Sequence, residues 1–563
     1  MTGPWDNWMR AWRGPALAAL LAFLAGAPAV FALPPLDRDE SRFAQATTQM
    51  LETGDFTNIN FQDQPRHKKP VGIHWMQAAT VSVFSSPEAR AIWAYRLPSL
   101  LGAMIAAAAC VWGARAFWGA GASFTAGAIL GVSTLLSIEA NFAKTDAVLC
   151  AAVTVAMAAL ARFYAAARGV EGGAARLPAD SRVLAIFWLA VGTAILVKGP
   201  VGPMVVGLAL LALWAMDRDL CWAKNLQWWW GLVVCLALFG PWALSITVAT
   251  DGGFWTEAIG GDLAPKLNSG DEGHDGPPGY HLLLSPLTLF PATLLLPAAA
   301  VVAWTRRNEP AVRFALAWSL PTLLVFEILP TKLPHYVLPA FGGLAWLLAA
   351  ALDGPKSAWT RWLGAALSAA AGLAFAAVGL VAVSEYGDPG DTAWAAAAGG
   401  LFAGAGLVGA VALLQRASRT AFATTAALAV AAHGVLLAGL APRLEPLWVS
   451  DQTSRALAEA GLHPRSGLAP GPAAVSGYAE PSLVFALGSR TGLGGAEEAA
   501  EAVEQGRTAV VEAADLPAFR AELAERGVDA RAAGQVAGTN YSKGDPATLT
   551  IFAPAALETA REP

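Results

Sequence analysis

Charge is what this sequence has least of. Only 14% of its 563 residues are Asp, Glu, Lys or Arg, against 55% that are hydrophobic. A chain this long and this apolar cannot cover itself with polar surface, which excludes a single soluble globule. Cysteine is nearly missing. Cys110, Cys150, Cys221 and Cys235 all lie in or beside apolar runs, so the polar C-terminal region has neither a disulfide nor a cysteine metal site. Tyrosine is scarce as well, seven residues against 22 Trp, and that tryptophan excess suits wide belts at two membrane–water boundaries. The C-terminal region lacks a Gly-rich phosphate fingerprint and an acidic metal cluster. No internal repeat runs through the chain, and nothing in it points to a nucleic-acid partner.

What is present is a series of apolar runs. A bilayer-crossing helix needs roughly 17–25 mainly apolar residues. Such runs begin near Pro15, Ile92, Ala120, Ala147, Val183, Val201, Trp228, Leu282, Ala311, Tyr336, Trp362, Thr392 and Ala421, about thirteen in all. Arg10 and Arg13 before the first run resemble the start of a signal peptide, but the many runs that follow favour a retained first helix. With those arginines in the cytoplasm, alternation places Arg115, Arg168, Arg176, Arg182, Arg306, Arg307, Arg416 and Arg419 inside. The loop 249–282 falls outside, with Asp251, Glu257, Asp262, Asp271, Glu272 and Asp275 against Lys266. The inside loops are short and leave no room for a nucleotide-sugar domain. After Arg443 the composition becomes that of a soluble domain. Ala473–Ser476, Leu483–Leu487 and Thr548–Phe552 read as strands, and Glu497–Gln505 and Leu516–Arg526 as helices. The expectation is an all-α polytopic membrane protein over residues 1–442, with a first periplasmic loop at 34–91. A small α/β soluble domain at 443–563 follows on the same side and reads as a lid or partner surface.

The stretch from Asp39 to Trp75 concentrates charge between apolar segments. Asp39, Glu40 and Arg42 fall within four residues, and Arg66, His67, Lys68 and Lys69 run into Pro70. Acids at one end and permanent cations at the other suit a phosphate-bearing substrate and a nucleophile that must be oriented. Between them Phe43, Ala46, Met50 and Leu51 recur near helical spacing, and Gly54 supplies a stop, so the spacing predicts a short amphipathic helix. Val71–Phe84 is apolar but too short to span, and reads as a second helix lying along the membrane surface.

Other charges stand at the ends of apolar runs, where a charge is costly and usually functional. Asp146 lies in NFAKTDAVL beside Lys144, and Lys198 in VKGPVG. Lys332, His335 and Tyr336 lie in LPTKLPHYVLP. Each has a plainer alternative: helix N-capping for Asp39 and Asp146, a snorkelling stem for Lys198, a boundary tyrosine for Tyr336. In the loop 249–282, His274 and Asp275 read as substrate contacts or metal ligands. Two histidines and two acids in a Gly/Pro-rich loop specify no metal, so no cofactor is expected.

An acidic pair followed by Arg42 and Phe43, the turn Met50-Leu51-x-x-Gly54-Asp55, and Lys69-Pro70 before an aromatic-rich helix resemble a known family. It is that of the membrane-embedded, lipid-dependent glycosyltransferases of the C type (GT-C). The aminoarabinose transferases of lipid A are the nearer relatives, and the protein O-mannosyltransferases the more distant. Lys198-Gly-Pro and Lys332 with Tyr336 and Leu-Pro follow in the family's order, so the resemblance covers roughly Asp39 to Pro339. The family's Lys-Pro is usually preceded by Glu; here Lys68 stands there.

The resemblance implies an inverting transferase in the bacterial inner membrane, with its site and C-terminus on the periplasmic side. Asp39 and Asp146 would take catalytic positions. Lys69, Lys198 and Lys332 would bind the donor phosphate, and Glu40, Arg42, Tyr336 and His274 would touch substrate. The donor would be a polyprenyl-phosphate sugar drawn from among the membrane lipids. The acceptor would be lipid A or another envelope lipid or glycan, with protein Ser/Thr as the alternative. A secondary transporter fits less well, because the charges gather at one face instead of the midplane.

Overall fold

Ten helices among the described residues are long and apolar enough to cross a membrane, with mean hydropathy from 1.5 to 2.2. They run from Arg13–Ala32 to Ser418–Arg443. The computed structural model describes residues 9–170, 181–268, 276–466 and 471–554. All thirteen expected segments are helical, but three do not form a straight span. Ala120–Gly131 and Val201–Asp217 are shorter helices. The segment after Leu282 splits into Tyr280–Thr288 and Ala292–Thr305, bent by 117°. The break falls at Pro291, whose ring removes a backbone donor and disfavours helix in the residue before it.

Burial separates hub from rim. The helix Asp146–Ala167 has 89% of its apolar window buried, whereas Trp228–Ala249 has 17% and Ala358–Tyr386 has 28%. The hub packs against Ile92–Ala114 and Ser181–Lys198. Small residues let it approach the first of these at backbone distance: a Cβ on Gly102 would lie 2.9 Å from the Ala147 carbonyl oxygen, and one on Gly113 2.7 Å from Ala158 Cα.

The first loop forms as the spacing predicts. A helix covers Asp39–Thr53, buries Phe43, Ala46 and Met50, and ends at Gly54 in the left-handed conformation, φ 74°. A small antiparallel hairpin follows, β1 (Asn60–Phe61) with β2 (Gln64–Pro65). The chain then enters the helix Gly72–Phe84. Neither Asp39 nor Asp146 caps its helix through its side chain; the cap positions are Arg38 and Thr145.

The C-terminal part builds one mixed sheet from β3 (Ala474–Ser476), β4 (Gly492–Gly494), β5 (Ala509–Glu512), β6 (Ala530–Asn540) and β7 (Asp545–Pro554), in the order β4-β3-β5-β7-β6. β3 runs parallel to β4 and β5, and β7 antiparallel to β5 and β6. Helices Ala496–Glu504 and Leu516–Arg526 match expectation. The segment Leu483–Leu487 does not: it belongs to a helix, Pro481–Leu487. Pro481 at the helix start presets helical φ. Phe485 packs edge-on against Tyr95, 5.4 Å between centroids, while Leu483 and Leu487 pack with Val475 and Val510 of the sheet, so the run is buried as a helix between the sheet and a neighbouring helix.

Candidate active site

The acid and the cations of the first loop meet because the chain doubles back. The helix from Asp39 runs out, the hairpin turns it, and Arg66 returns beside its start. Arg66 Nη2 lies 3.3 Å from Asp39 Oδ1, with its guanidinium 4.7 Å over the Phe43 ring. Arg42 Nη1 stands 4.0 Å from the same oxygen. The Asp39 side chain keeps 62% of its surface open. Desolvation by its surroundings pushes its pKa up, but Arg66, Lys144, Lys69 and Arg42 outweigh that and hold it below the ordinary carboxylate value.

Lys69 is carried to the end of a span by one small residue. A Cβ on Gly72 would sit 2.6 Å from the Leu196 carbonyl oxygen. Glycine therefore lets the helix Gly72–Phe84 start directly on the end of Ser181–Lys198. Lys69 Nζ lies 3.3 Å from Asp262 Oδ2, whose other oxygen takes Lys266 at 2.5 Å. Burial lowers the Lys69 pKa to about 8; Asp262 opposes the shift, and Lys266, Lys198 and Arg66 add to it. His67 Nδ1 lies 3.1 Å from Glu257 Oε2.

A second layer forms where the ends of several helices converge. Lys198 Nζ is 2.5 Å from Asp146 Oδ1 and 5.4 Å from the centre of the Tyr336 ring. His335 stands between two carboxylates, 3.9 Å from Asp146 Oδ2 and 3.6 Å from Glu139 Oε1. Lys144 Nζ lies 3.3 Å from Glu139 Oε2. The side chains of Asp146 and Glu139 are only 5% and 4% exposed, so the open carboxylate is Asp39. Electrostatic coupling joins the layers: Asp39 feels Lys144 and Lys69, and Lys69 feels Lys198. Glu139 was not singled out by the sequence. Its only signal is an acid closing the apolar run that begins at Ala120.

The remaining candidates are placed differently. Glu40 faces away from the opening and is 2% exposed. Arg96 grips it through Nε at 2.8 Å and Nη2 at 2.7 Å, and the backbone N–H groups of Leu36 and Ala143 donate to it at 2.9 and 2.8 Å. Its oxygens are thus occupied by the fold, which corrects the substrate contact expected for it. Lys332 donates to the Gly276 carbonyl at 3.1 Å. His274 lies outside the described residues. Among the described residues no three His, Cys, Asp or Glu side chains are grouped to hold a metal ion.

Residues 38–255 match the family model described as dolichyl-phosphate-mannose-protein mannosyltransferase. The fold is similar to that of a solved structure, ArnT from Cupriavidus metallidurans bound to undecaprenyl phosphate. The TM-score is 0.75 at 20% identity, over 96% of this chain and 97% of that one. The fold is of the GT-C type. Two curated relatives carry the name undecaprenyl phosphate-alpha-4-amino-4-deoxy-L-arabinose arabinosyl transferase. That of Pseudomonas paraeruginosa is 28% identical over 56% of this chain, and that of Yersinia pestis 26% over 60%. The matches span 55% and 59% of those relatives' own length. The resemblance to this family thus holds in sequence over residues 38–255 and in fold over 96% of the chain.

Proposed function

We propose that the protein transfers a sugar from a polyprenyl-phosphate donor to an envelope acceptor at the periplasmic face of the bacterial inner membrane. The observation that carries this reading is the array of Arg66, Lys144, Lys69 and Arg42 acting on an open carboxylate, Asp39. The names of the relatives and the lipid held by the similar structure support the donor class. The alternation of Arg and Lys along the chain supports the side, and the change of composition at Arg443 supports dividing the chain into 1–442 and 443–563.

In the transfer the acceptor oxygen bonds to the anomeric carbon while the bond from that carbon to the donor phosphate oxygen breaks. The polyprenyl phosphate leaves with the electron pair and the configuration inverts. Lys69 and Lys198, with Lys332 on the neighbouring loop, stabilise the charge growing on that phosphate. Asp146 fixes Lys198, and Tyr336 flanks it. Arg42 and Asp39 orient the acceptor, with His274 as a further contact.

A general base works best with a pKa near the operating pH. Asp39 is held below the ordinary carboxylate value, which favours orientation over proton removal. This supports an acceptor that is already an anion, a lipid A phosphate. The match to protein mannosyltransferases over residues 38–255 favours the second reading, a serine or threonine hydroxyl that must give up a proton.

Asp39→Asn separates the two. Transfer of radiolabelled sugar from a polyprenyl-phosphate donor is followed on a lipid A acceptor and on a peptide acceptor. A hydroxyl acceptor loses turnover about 100-fold or more, the scale of a lost general base. A phosphate acceptor loses far less. Full activity of the variant on both removes Asp39 from the mechanism.

A further inference from the structure

The turn that delivers Asp39 is built from the far end of the chain. The backbone N–H of Asp37 donates to Tyr541 Oη at 2.7 Å, across 504 positions of sequence. The Ser482 hydroxyl donates to Asp37 Oδ1, and the Arg38 guanidinium to the Ser542 carbonyl. Arg38 has φ 58° and ψ −113°. A non-glycine residue holds such a backbone only where its surroundings over-determine it. Those surroundings are the C-terminal residues just named, and the next residue along is Asp39.

The partners are themselves fixed. Ser482 Oγ pairs with Ser450 Oγ at 2.6 Å, and the Tyr541 ring lies 6.2 Å from that of Trp448. The same domain also grips the other end of the helix. Arg90 joins Gln45 and Glu52 of that helix, at 2.6 and 2.7 Å, to the Phe485 carbonyl and the Ser489 hydroxyl, both at 2.9 Å. A lid that merely covered the site would not need to reach behind Asp39 and hold its turn under strain.

We propose that Tyr541 and Ser482 are positioning residues for the transfer, through which the C-terminal domain fixes the Asp37–Arg38 turn and so aims the Asp39 carboxylate into the site. This rests on the reading of Asp39 as an acceptor-orienting group. The domain then acts in turnover without touching donor or acceptor, and its effect falls on kcat and not on donor affinity.

The test is a double-mutant cycle in the full-length protein, with radiolabelled transfer as the readout. Tyr541→Phe keeps the ring against Trp448 and removes the acceptor for the Asp37 N–H. In the otherwise native protein kcat falls about tenfold or more, the scale of a small misplacement of a reacting group, while KM for the donor stays unchanged. In the Asp39→Asn background, Tyr541→Phe lowers the residual kcat no further, because the group it aims is gone. If Tyr541→Phe does not fold, Ser482→Ala enters the same cycle. An unchanged kcat, a rise in donor KM alone, or equal losses in the two backgrounds overturn the positioning role. Full turnover of Asp39→Asn overturns the underlying reading instead, whatever Tyr541→Phe does.

Discussion

Lys69 sits where burial works against its charge, and its pKa falls from 10.5 to about 8. If its ammonium binds the donor phosphate, kcat/KM for the donor falls as pH rises through about 8. Lys69→Arg removes that fall, since a guanidinium stays charged throughout this range. Stability moves the other way. The unfolded lysine keeps its proton until about 10.5 while the folded one releases it from about 8. The unfolded state therefore binds more protons in that window, and unfolding free energy rises with pH across it. A pH profile of donor kcat/KM beside a melting series in the same buffers checks both signs. The sequence offered Lys69 through its place before Pro70. It did not offer Asp262, whose distance along the chain hides the pairing, nor Glu139, whose neighbours are apolar.

At the scale of elements, the first-loop helix was legible because its signals are local: Phe43, Ala46 and Met50 on one face and Gly54 at the stop. What fixes it in space was not. Glu40 looked like the partner of Asp39 in a substrate site, but its real partner, Arg96, lies inside an apolar run where no motif announces it. Arg96 also donates to the carbonyls of Val30, Leu33 and Pro34 at 3.1, 2.7 and 2.8 Å. The pair thus ties the end of the first span, the loop helix and Ala143 into one joint. Removing one member leaves the other charge buried and unpaired, which costs about 3–5 kcal/mol. Glu40→Ala in detergent melts well below the native protein, whereas Asp39→Asn, at an open side chain, melts within a degree or two of it. Equal melting of the two variants would contradict this division of labour. Leu483–Leu487 shows the limit of local signals from the other side. Its residues suit a strand, but Pro481 presets a helical start, and the helix buries Leu483 and Leu487 on the sheet and Phe485 on Tyr95.

Over the whole molecule, hydropathy located every helix that, among the described residues, is long and apolar enough to cross a membrane, because the bilayer imposes length and composition residue by residue. It could not show the bend at Pro291 or the short helices, which depend on packing against neighbours. The alternation of Arg and Lys predicts that residues beyond Arg443 face the periplasm. A phosphatase reporter fused after Arg443 is active on that topology, and a reporter that works only in the cytoplasm is silent. The reverse pattern would move the whole site to the other face.

The 504-residue reach from Asp37 to Tyr541 also orders events in time. At the usual pace of synthesis, 5–20 residues per second, roughly 25–100 s separate the emergence of these two residues. During that interval the spans insert and Arg66, Lys69, Lys144 and Lys198 are all made, while the turn before Asp39 still lacks its holder. The turn before Asp39 thus waits for Ser482 and Tyr541, and a loop made early is completed by residues made hundreds of positions later.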